Sequence, residues 1–280
     1  MRTRFAPAPT GYLHLGHVAN ALYVWTDARA RGGQVLLRIE DHDRERCRPE
    51  YEDALLEDLA WLGFEADAPA VRQSEREALY AEVATQLDQQ GLLYGCTCSR
   101  KALFPSPHLP ISESPHPPSS ILHPPSSYPG TCREAGHALT ADVGWRVRMP
   151  DDEIRFDDRW CGPQVQRPAE QCGDLLIRDR RGNWTYQFVA TVDDHLQSIT
   201  DVIRGVDLLE STGRQMLLGR MIGRPTPATF AHHPLIMKST TQKLSKSDGD
   251  TGIRDLRAAG WTRDQVLREA AARSGQVFPQ

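Results

Sequence analysis

Between residues 3 and 39 the chain reads strand, helix, strand, and that order narrows its fold more than any other feature. Thr3-Arg4-Phe5-Ala6 is a short apolar strand, followed by the turn-rich loop Pro7-Ala8-Pro9-Thr10-Gly11. A helix runs from about Gly16 through Val18, Leu22, Val24 and Trp25, and Gly32-Gly33 stops it. Gln34-Val35-Leu36-Leu37-Arg38-Ile39 is then a short apolar run of the buried-strand type. A strand reached through a helix returns parallel to the first, so the expectation is an α/β chain built on a parallel sheet.

Further along, Pro49 opens a helix where its missing N–H matters least, with Leu55, Leu56, Leu59 and Leu62 along one side. A second helix over about 75–90 carries Leu79, Val83 and Leu87, and Gly91 ends it. Residues 104–127 are rich in proline and serine, which remove donors and add no core, so this segment reads as a surface loop. Strands are expected over 145–149, 174–177 and 199–204, with a turn at 180–183. Helices are expected over 211–222 and 262–272, and residues 230–237 lead into a polar loop.

Bulk properties exclude some classes. The chain has 280 residues, enough for a substantial core, and its apolar and charged fractions of 39% and 25% are ordinary for a globular protein. No apolar run approaches membrane-spanning length. Met1-Arg2-Thr3-Arg4-Phe5 leads straight into a motif with no room for a signal peptide, so the cytoplasm is the expected location. A net charge of −4 argues against gripping nucleic acid by bulk charge, although Arg and Lys are dense in 178–181, 204–224 and 238–246.

Two motifs carry chemistry. His14-Leu15-Gly16-His17 stands at the start of the first helix. A helix N-terminus presents unpaired N–H groups and a partial positive charge to phosphate. Gly16 allows close backbone approach, and two imidazoles can donate to phosphate oxygens. Far downstream, Lys243-Leu244-Ser245-Lys246-Ser247 lies in a polar, glycine-flanked loop that can close over polyphosphate. Singly, each motif has a plainer reading: histidines that cap a helix, and lysines on a solvated loop.

Together, in this order and behind a strand–helix–strand unit, they resemble the HIGH and KMSKS signatures of class I aminoacyl-tRNA synthetases. Arg4-Phe5-Ala6-Pro7-Ala8-Pro9-Thr10-Gly11, Leu37-Arg38-Ile39-Glu40-Asp41, Val192-Asp193-Asp194-His195 and Ile203-Arg204-Gly205 resemble the catalytic part of glutamyl-tRNA synthetases. The resemblance covers nearly the whole chain outside 104–127, and it is nearest to the shortened glutamyl-Q tRNA(Asp) synthetases. It implies a Rossmann-like parallel-sheet catalytic domain with a small zinc-binding insertion and a helical C-terminal segment. In that scheme 1–95 and 141–237 form the catalytic domain, 96–140 the insertion, and 238–280 the lysine loop and helical tail. No anticodon-binding domain is expected.

A free glutamate carries two carboxylates and an amine, so its pocket should supply cations and a carboxylate. The resemblance implies that Arg4 and Arg204 pair with the carboxylates and that Glu40 receives the amine. Tyr186 donates its hydroxyl, and the backbone of Phe5, Ala6, Pro7 and Ala8 completes the pocket. Either arginine could instead form a structural salt bridge. His14, Gly16 and His17 would serve ATP together with Lys246 and Lys243, and Mg²⁺ would accompany the triphosphate on its own oxygens and water. Four residues after Tyr186 stands Ala190, where the larger glutamyl enzymes carry an asparagine, and loss of that amide weakens the pocket.

Cys96-Thr97-Cys98 and Cys132 flank the proline-rich stretch, and three thiolates suit Zn²⁺. They could also be unrelated buried thiols, because this spacing is tighter than usual zinc motifs. The resemblance implies Tyr128 as fourth ligand, with His108, His116 and His123 as competitors for that position. Cys47, Cys161 and Cys172 read as structural.

The expected activity is ATP-dependent activation of L-glutamate and transfer to the queuosine base in the anticodon of tRNA(Asp), by a monomer that stays off membranes. The alternatives are charging of the 3′ end of tRNA(Glu), a nucleotidylyltransferase acting on small molecules without RNA, and a non-catalytic binding module. The intact histidines and lysines count against the last.

Overall fold

The computed structural model describes residues 1–99, 103, 127–235 and 252–275. Lys243 and Lys246 lie outside the described residues, as do His108, His116 and His123 and all but the last residue of the 104–127 stretch.

Strands β1 (Arg2–Phe5), β2 (Gln34–Ile39) and β3 (Val71–Arg72) pair in parallel in the order β1-β2-β3. Strands β9 (Asp201–Gly205) and β10 (Thr229–His233) form a second parallel pair. It sits beside β1, where the Thr200 N–H donates to the Arg2 carbonyl at 2.9 Å and the Arg2 N–H donates to Thr200 Oγ1 at 2.8 Å. The spatial order is therefore β3-β2-β1-β9-β10. The chain winds outward from β1 in one direction and later returns to its other side. A crevice opens at such a reversal, beyond the carboxyl ends of the central strands, and ligands bind there.

Helix α1 (Leu15–Ala30) makes the first crossover and buries Val18, Leu22, Val24 and Trp25 against the sheet. Five of the six β2 residues are buried, as a parallel strand covered on both faces requires. Helix α2 (Pro49–Leu62) begins on its proline and ends on Gly63 at φ +76°, a left-handed cap that favours glycine. Helix α3 (Glu77–Gln89) starts later than the pattern over 75–90 suggests. A 3₁₀ turn over Gln73–Glu75 precedes it, holding buried Gln73 on Asp193.

A smaller antiparallel sheet joins β4 (Leu93–Cys96), β5 (Gly144–Val147) and β8 (Leu175–Arg178), so the excursion bearing the cysteines leaves and returns on adjacent strands. Between β5 and β8 lie the hairpin β6 (Ile154–Asp158) and β7 (Gly162–Gln166) and the short helix α4 (Pro168–Cys172). Helix α5 (Tyr186–Leu196) begins right after Trp184 bridges back to Arg178, and it packs with α6 (Thr212–Met221) in a second core. Helices α7 (Ile253–Ala258) and α8 (Arg263–Ser274) close the described chain, and α8 packs on α1. Thr262 and Gln265 cap α8 reciprocally. No helix among the described residues is long and apolar enough to cross a membrane.

Candidate active site

A cavity of about 330 Å³ opens at the crevice the strand order creates. Its wall includes Arg4 and Ala6 from the end of β1, and Ile203, Arg204 and Gly205 from the end of β9. His14, Gly16, His17 and Asn20 come from α1 and its cap, Glu40 follows β2, Tyr186 starts α5, and His233 and Leu235 follow from β10. Residues far apart in sequence meet because each stands at the carboxyl end of a strand or the start of a helix.

The histidines are fixed by the helix start itself. His14 is the N-cap, and its Nδ1 accepts from the Gly16 N–H at 3.0 Å. His17 Nδ1 accepts in turn from the His14 N–H at 3.1 Å, and the rings lie 3.9 Å apart. An imidazole that accepts at Nδ1 carries its proton on Nε2, so both rings are donors at Nε2. The segment bearing Lys243 and Lys246 lies outside the described residues, but its neighbours touch this corner. Leu235 lines the cavity, Gly252 bridges His14, and the Ile253 N–H donates to the Leu13 carbonyl at 2.8 Å.

Arg4 and Glu40 belong to a buried ion network. Asp194 Oδ1 accepts from Arg4 Nε at 3.0 Å and from Arg38 Nη1 at 2.8 Å. Arg38 is fully buried and also faces Glu40 at 3.5 Å and Asp193 at 3.9 Å. Burial works against ionisation of Asp194, yet Arg4 and Arg38 outweigh it and hold the carboxyl at about 2. Glu40 goes the other way: burial pushes it up by more than Arg38, Arg4 and His42 pull it down. A buried carboxylate in that condition gains from an added cation such as an amine. Burial, then Glu40, raises the Tyr186 phenol, which stays a neutral donor.

Arg204 is held differently. Its guanidinium donates to His232 Nε2 at 2.9 Å, Gln215 Oε1 at 2.6 Å, Thr212 Oγ1 at 2.9 Å and the Leu208 carbonyl at 3.2 Å. No carboxylate bonds it among the described residues, and burial lowers its pKa from the ordinary arginine value. The group is oriented and buried, hydrogen-bonded to neutral acceptors and helped by Asp194 only through space, which favours an incoming anion.

Not every expected residue lines the cavity. Phe5 points into the core against Trp25, with ring centroids 5.4 Å apart. Pro7 acts through its carbonyl, which accepts the Glu40 N–H at 3.0 Å, and the Ala8 carbonyl accepts from Thr10 N–H. Ala6 lines the wall, and the Pro7 carbonyl sets Glu40 in place. Ala190 is buried on α5. Asn20, His233, Asp194, Arg38 and His232 were not singled out from sequence, although Arg38 and Asp194 stand inside the motifs quoted there.

At the second expected site, the Cys96, Cys98 and Cys132 sulfurs lie within 4.8 Å of one another. The Tyr128 hydroxyl accepts from the Cys132 N–H at 2.8 Å and lies 3.5 Å from Cys96 Sγ. Burial pushes the Cys98 thiol up to about 11. At Cys132 burial is outweighed by hydrogen bonds from Thr97 and Cys98, which hold it at about 6. Three sulfurs and a phenol oxygen converging in this way fit a closed tetrahedral Zn²⁺ site. The Arg146 guanidinium stacks 3.6 Å above the Tyr128 ring and holds it there.

The chain matches the family of class I tRNA synthetases for E and Q, catalytic domain, over residues 1–277. A glutamyl-Q tRNA(Asp) synthetase of Cupriavidus metallidurans is 45% identical over 251 residues, covering 89% of this chain and 77% of that protein. One from Burkholderia cenocepacia is 41% identical over 280 residues, covering 98% and 88%. A glutamate tRNA ligase from Elizabethkingia meningosepticum, crystallised with its amino acid, superposes with a TM-score of 0.69 at 30% identity. That alignment covers 93% of this chain but 53% of the ligase.

Proposed function

The chain belongs to the class I tRNA synthetases of the glutamate and glutamine branch, and from that premise we propose that it activates L-glutamate with ATP and transfers it to the queuosine base of tRNA(Asp). A glutamate–tRNA ligase-like activity follows from membership. The acceptor is our reading, supported by the name its relatives carry at 41–45% identity.

One observation carries the assignment of residues: cations, a carboxylate and two imidazole donors face a single cavity at the strand-order reversal. Arg204 and Arg4 would take the carboxylates of glutamate, Tyr186 would donate its hydroxyl, and Glu40 would receive the ammonium that its burial calls for. The α-carboxylate oxygen attacks the α-phosphorus of ATP, forming the mixed anhydride as the P–O bond to pyrophosphate breaks. His14 and His17 would donate from Nε2 to the triphosphate at the α1 N-terminus, with Lys246 and Lys243 neutralising its charge. Mg²⁺ would travel with ATP on phosphate oxygens and water. Zn²⁺, held by Cys96, Cys98, Cys132 and Tyr128, would pin the excursion between β4 and β5 and take no part in bond making.

The decisive assay incubates labelled glutamate, ATP and tRNA(Asp) with and without queuosine. Label that requires queuosine supports the proposal. Label on tRNA(Glu) instead, or pyrophosphate exchange with no RNA labelled, would replace it with 3′-end charging or small-molecule nucleotidyl transfer respectively.

A further inference from the structure

The β6–β7 hairpin contributes a buried carboxylate whose position the activation chemistry does not account for. Asp158, at the end of β6, accepts at Oδ1 from the backbone N–H groups of Trp160 (3.0 Å), Cys161 (2.9 Å) and His232 (3.2 Å). Its other oxygen, Oδ2, lies 2.5 Å from His232 Nδ1. On the far side of that ring, His232 Nε2 accepts from Arg204 Nε at 2.9 Å. Asp158 and His232 are 3% and 1% exposed, so water does not substitute for these partners.

The protons along this line are determined by its ends. A guanidinium only donates, so His232 Nε2 must offer its lone pair. The ring proton then sits on Nδ1 and points at Asp158. We propose that Asp158 and His232 are positioning residues that set the imidazole tautomer and thereby hold Arg204 at the angle from which it binds a substrate carboxylate. The proposal rests on the reading of Arg204 as a glutamate-binding group. Burial, reinforced by the charge of Arg204, also lowers the His232 pKa to about 4, so the ring is neutral near neutral pH.

Asp158→Asn separates this from a merely structural role. Three backbone N–H groups keep the amide oxygen where Oδ1 was, which forces the new NH₂ toward His232 Nδ1. The ring must then accept at Nδ1 and carry its proton on Nε2, facing the Arg204 N–H donor against donor. In glutamate-dependent pyrophosphate exchange, KM for glutamate should rise on the order of tenfold to a hundredfold, the loss of one hydrogen bond to a charged group. KM for ATP should stay near wild type, while the melting temperature should fall by a few degrees because a buried donor is left facing a donor. Nitrogen-15 NMR of the imidazole should show the proton moved to Nε2. If the proton moves and glutamate KM does not, or if both KM values rise together, the proposal is overturned.

Should the asparagine variant fail to fold, His232→Gln and His232→Leu carry the test. Glutamine offers a carbonyl near the position of Nε2 and should bind glutamate within a few fold of wild type, whereas leucine should not. Equal impairment of the two refutes tautomer control. Arg204→Ala tells the two readings apart. An unchanged glutamate KM there removes the pocket assignment itself, while a raised KM beside a silent Asp158→Asn removes only the relay.

Discussion

Replacing Asp194 by asparagine removes one negative charge shared by two buried arginines. Arg4 Nε and Arg38 Nη1 both donate to the same Oδ1, at 3.0 and 2.8 Å. The folded carboxyl titrates at about 2 against an ordinary 3.8. At about 1.4 kcal/mol per unit, the charge contributes about 2 kcal/mol to folding. Breaking a buried pair outright costs about 3–5 kcal/mol. The variant keeps an acceptor oxygen, and Arg38 keeps Glu40 and Asp193, so about 2–3 kcal/mol is expected at neutral pH. That corresponds to roughly 3–5 °C in melting temperature for a chain of this size. The sign is set by the lowered pKa. The contribution is complete above the unfolded value and disappears as pH falls through the folded one, with roughly half gone by pH 3. Urea unfolding of both proteins at a series of pH values from 7 down to 3 should therefore show their stabilities converge, because a protonated Asp194 resembles the asparagine. A gap that stays constant with pH, or one below about 0.5 kcal/mol at pH 7, would refute the charge argument.

Other perturbations reach separate parts of the molecule. In Gly16→Ala the new Cβ would lie 2.8 Å from His14 Cε1, displacing that ring, so pyrophosphate exchange should slow on the order of tenfold while stability falls by only about 1 kcal/mol. Stopped kinetics beside a melting curve measures both. Lys246→Ala should cost about 3 kcal/mol in the activation step, and unchanged exchange would remove that lysine from the mechanism. Atomic absorption should find roughly one zinc per chain, lost in Cys132→Ser together with melting temperature. Gly173, at φ +64°, leaves no room either, since a Cβ there would sit 2.1 Å from the Tyr128 carbonyl. Gly173→Ala should release zinc by pushing the Tyr128 backbone away while every ligand side chain is kept, as a dye-based metal-release assay would show.

Where a reading rested on local periodicity, it transferred well. The 34–39 strand and the Pro49 helix coincide with β2 and α2, and the Thr262 start of the last helix is a capping box visible as Thr-x-x-Gln. The misses have physical causes. Helix α5 begins with aromatic and β-branched residues, Tyr186, Phe188 and Val189, whose propensities favour a strand, and burial in the second core overrides them. The β6–β7 hairpin alternates weakly, and Asp158 looks like any polar turn residue until three N–H groups are found to converge on it. At Phe5 the sequence points to the backbone as the part that faces the pocket, and the side chain belongs to the core because successive strand residues face opposite ways.

The same limit explains why Arg4 and Arg204 looked interchangeable in the sequence and are not in the fold. A motif shows that a guanidinium is present, but its available charge depends on what distant elements bring to it. At Arg4, α5 supplies Asp194, which cancels much of the charge and leaves a group suited to shape and hydrogen bonding. At Arg204, β10, α6 and the turn before α6 supply an imidazole, an amide, a hydroxyl and a carbonyl, all of them neutral. These dipoles orient the cation without spending its charge, so the attraction of this cavity for a carboxylate resides chiefly at Arg204. A buried cation whose hydrogen bonds all go to dipoles, with Asp194 acting only through space, is costly in the unliganded protein, and an arriving anion offsets that cost and stabilises the fold by mass action.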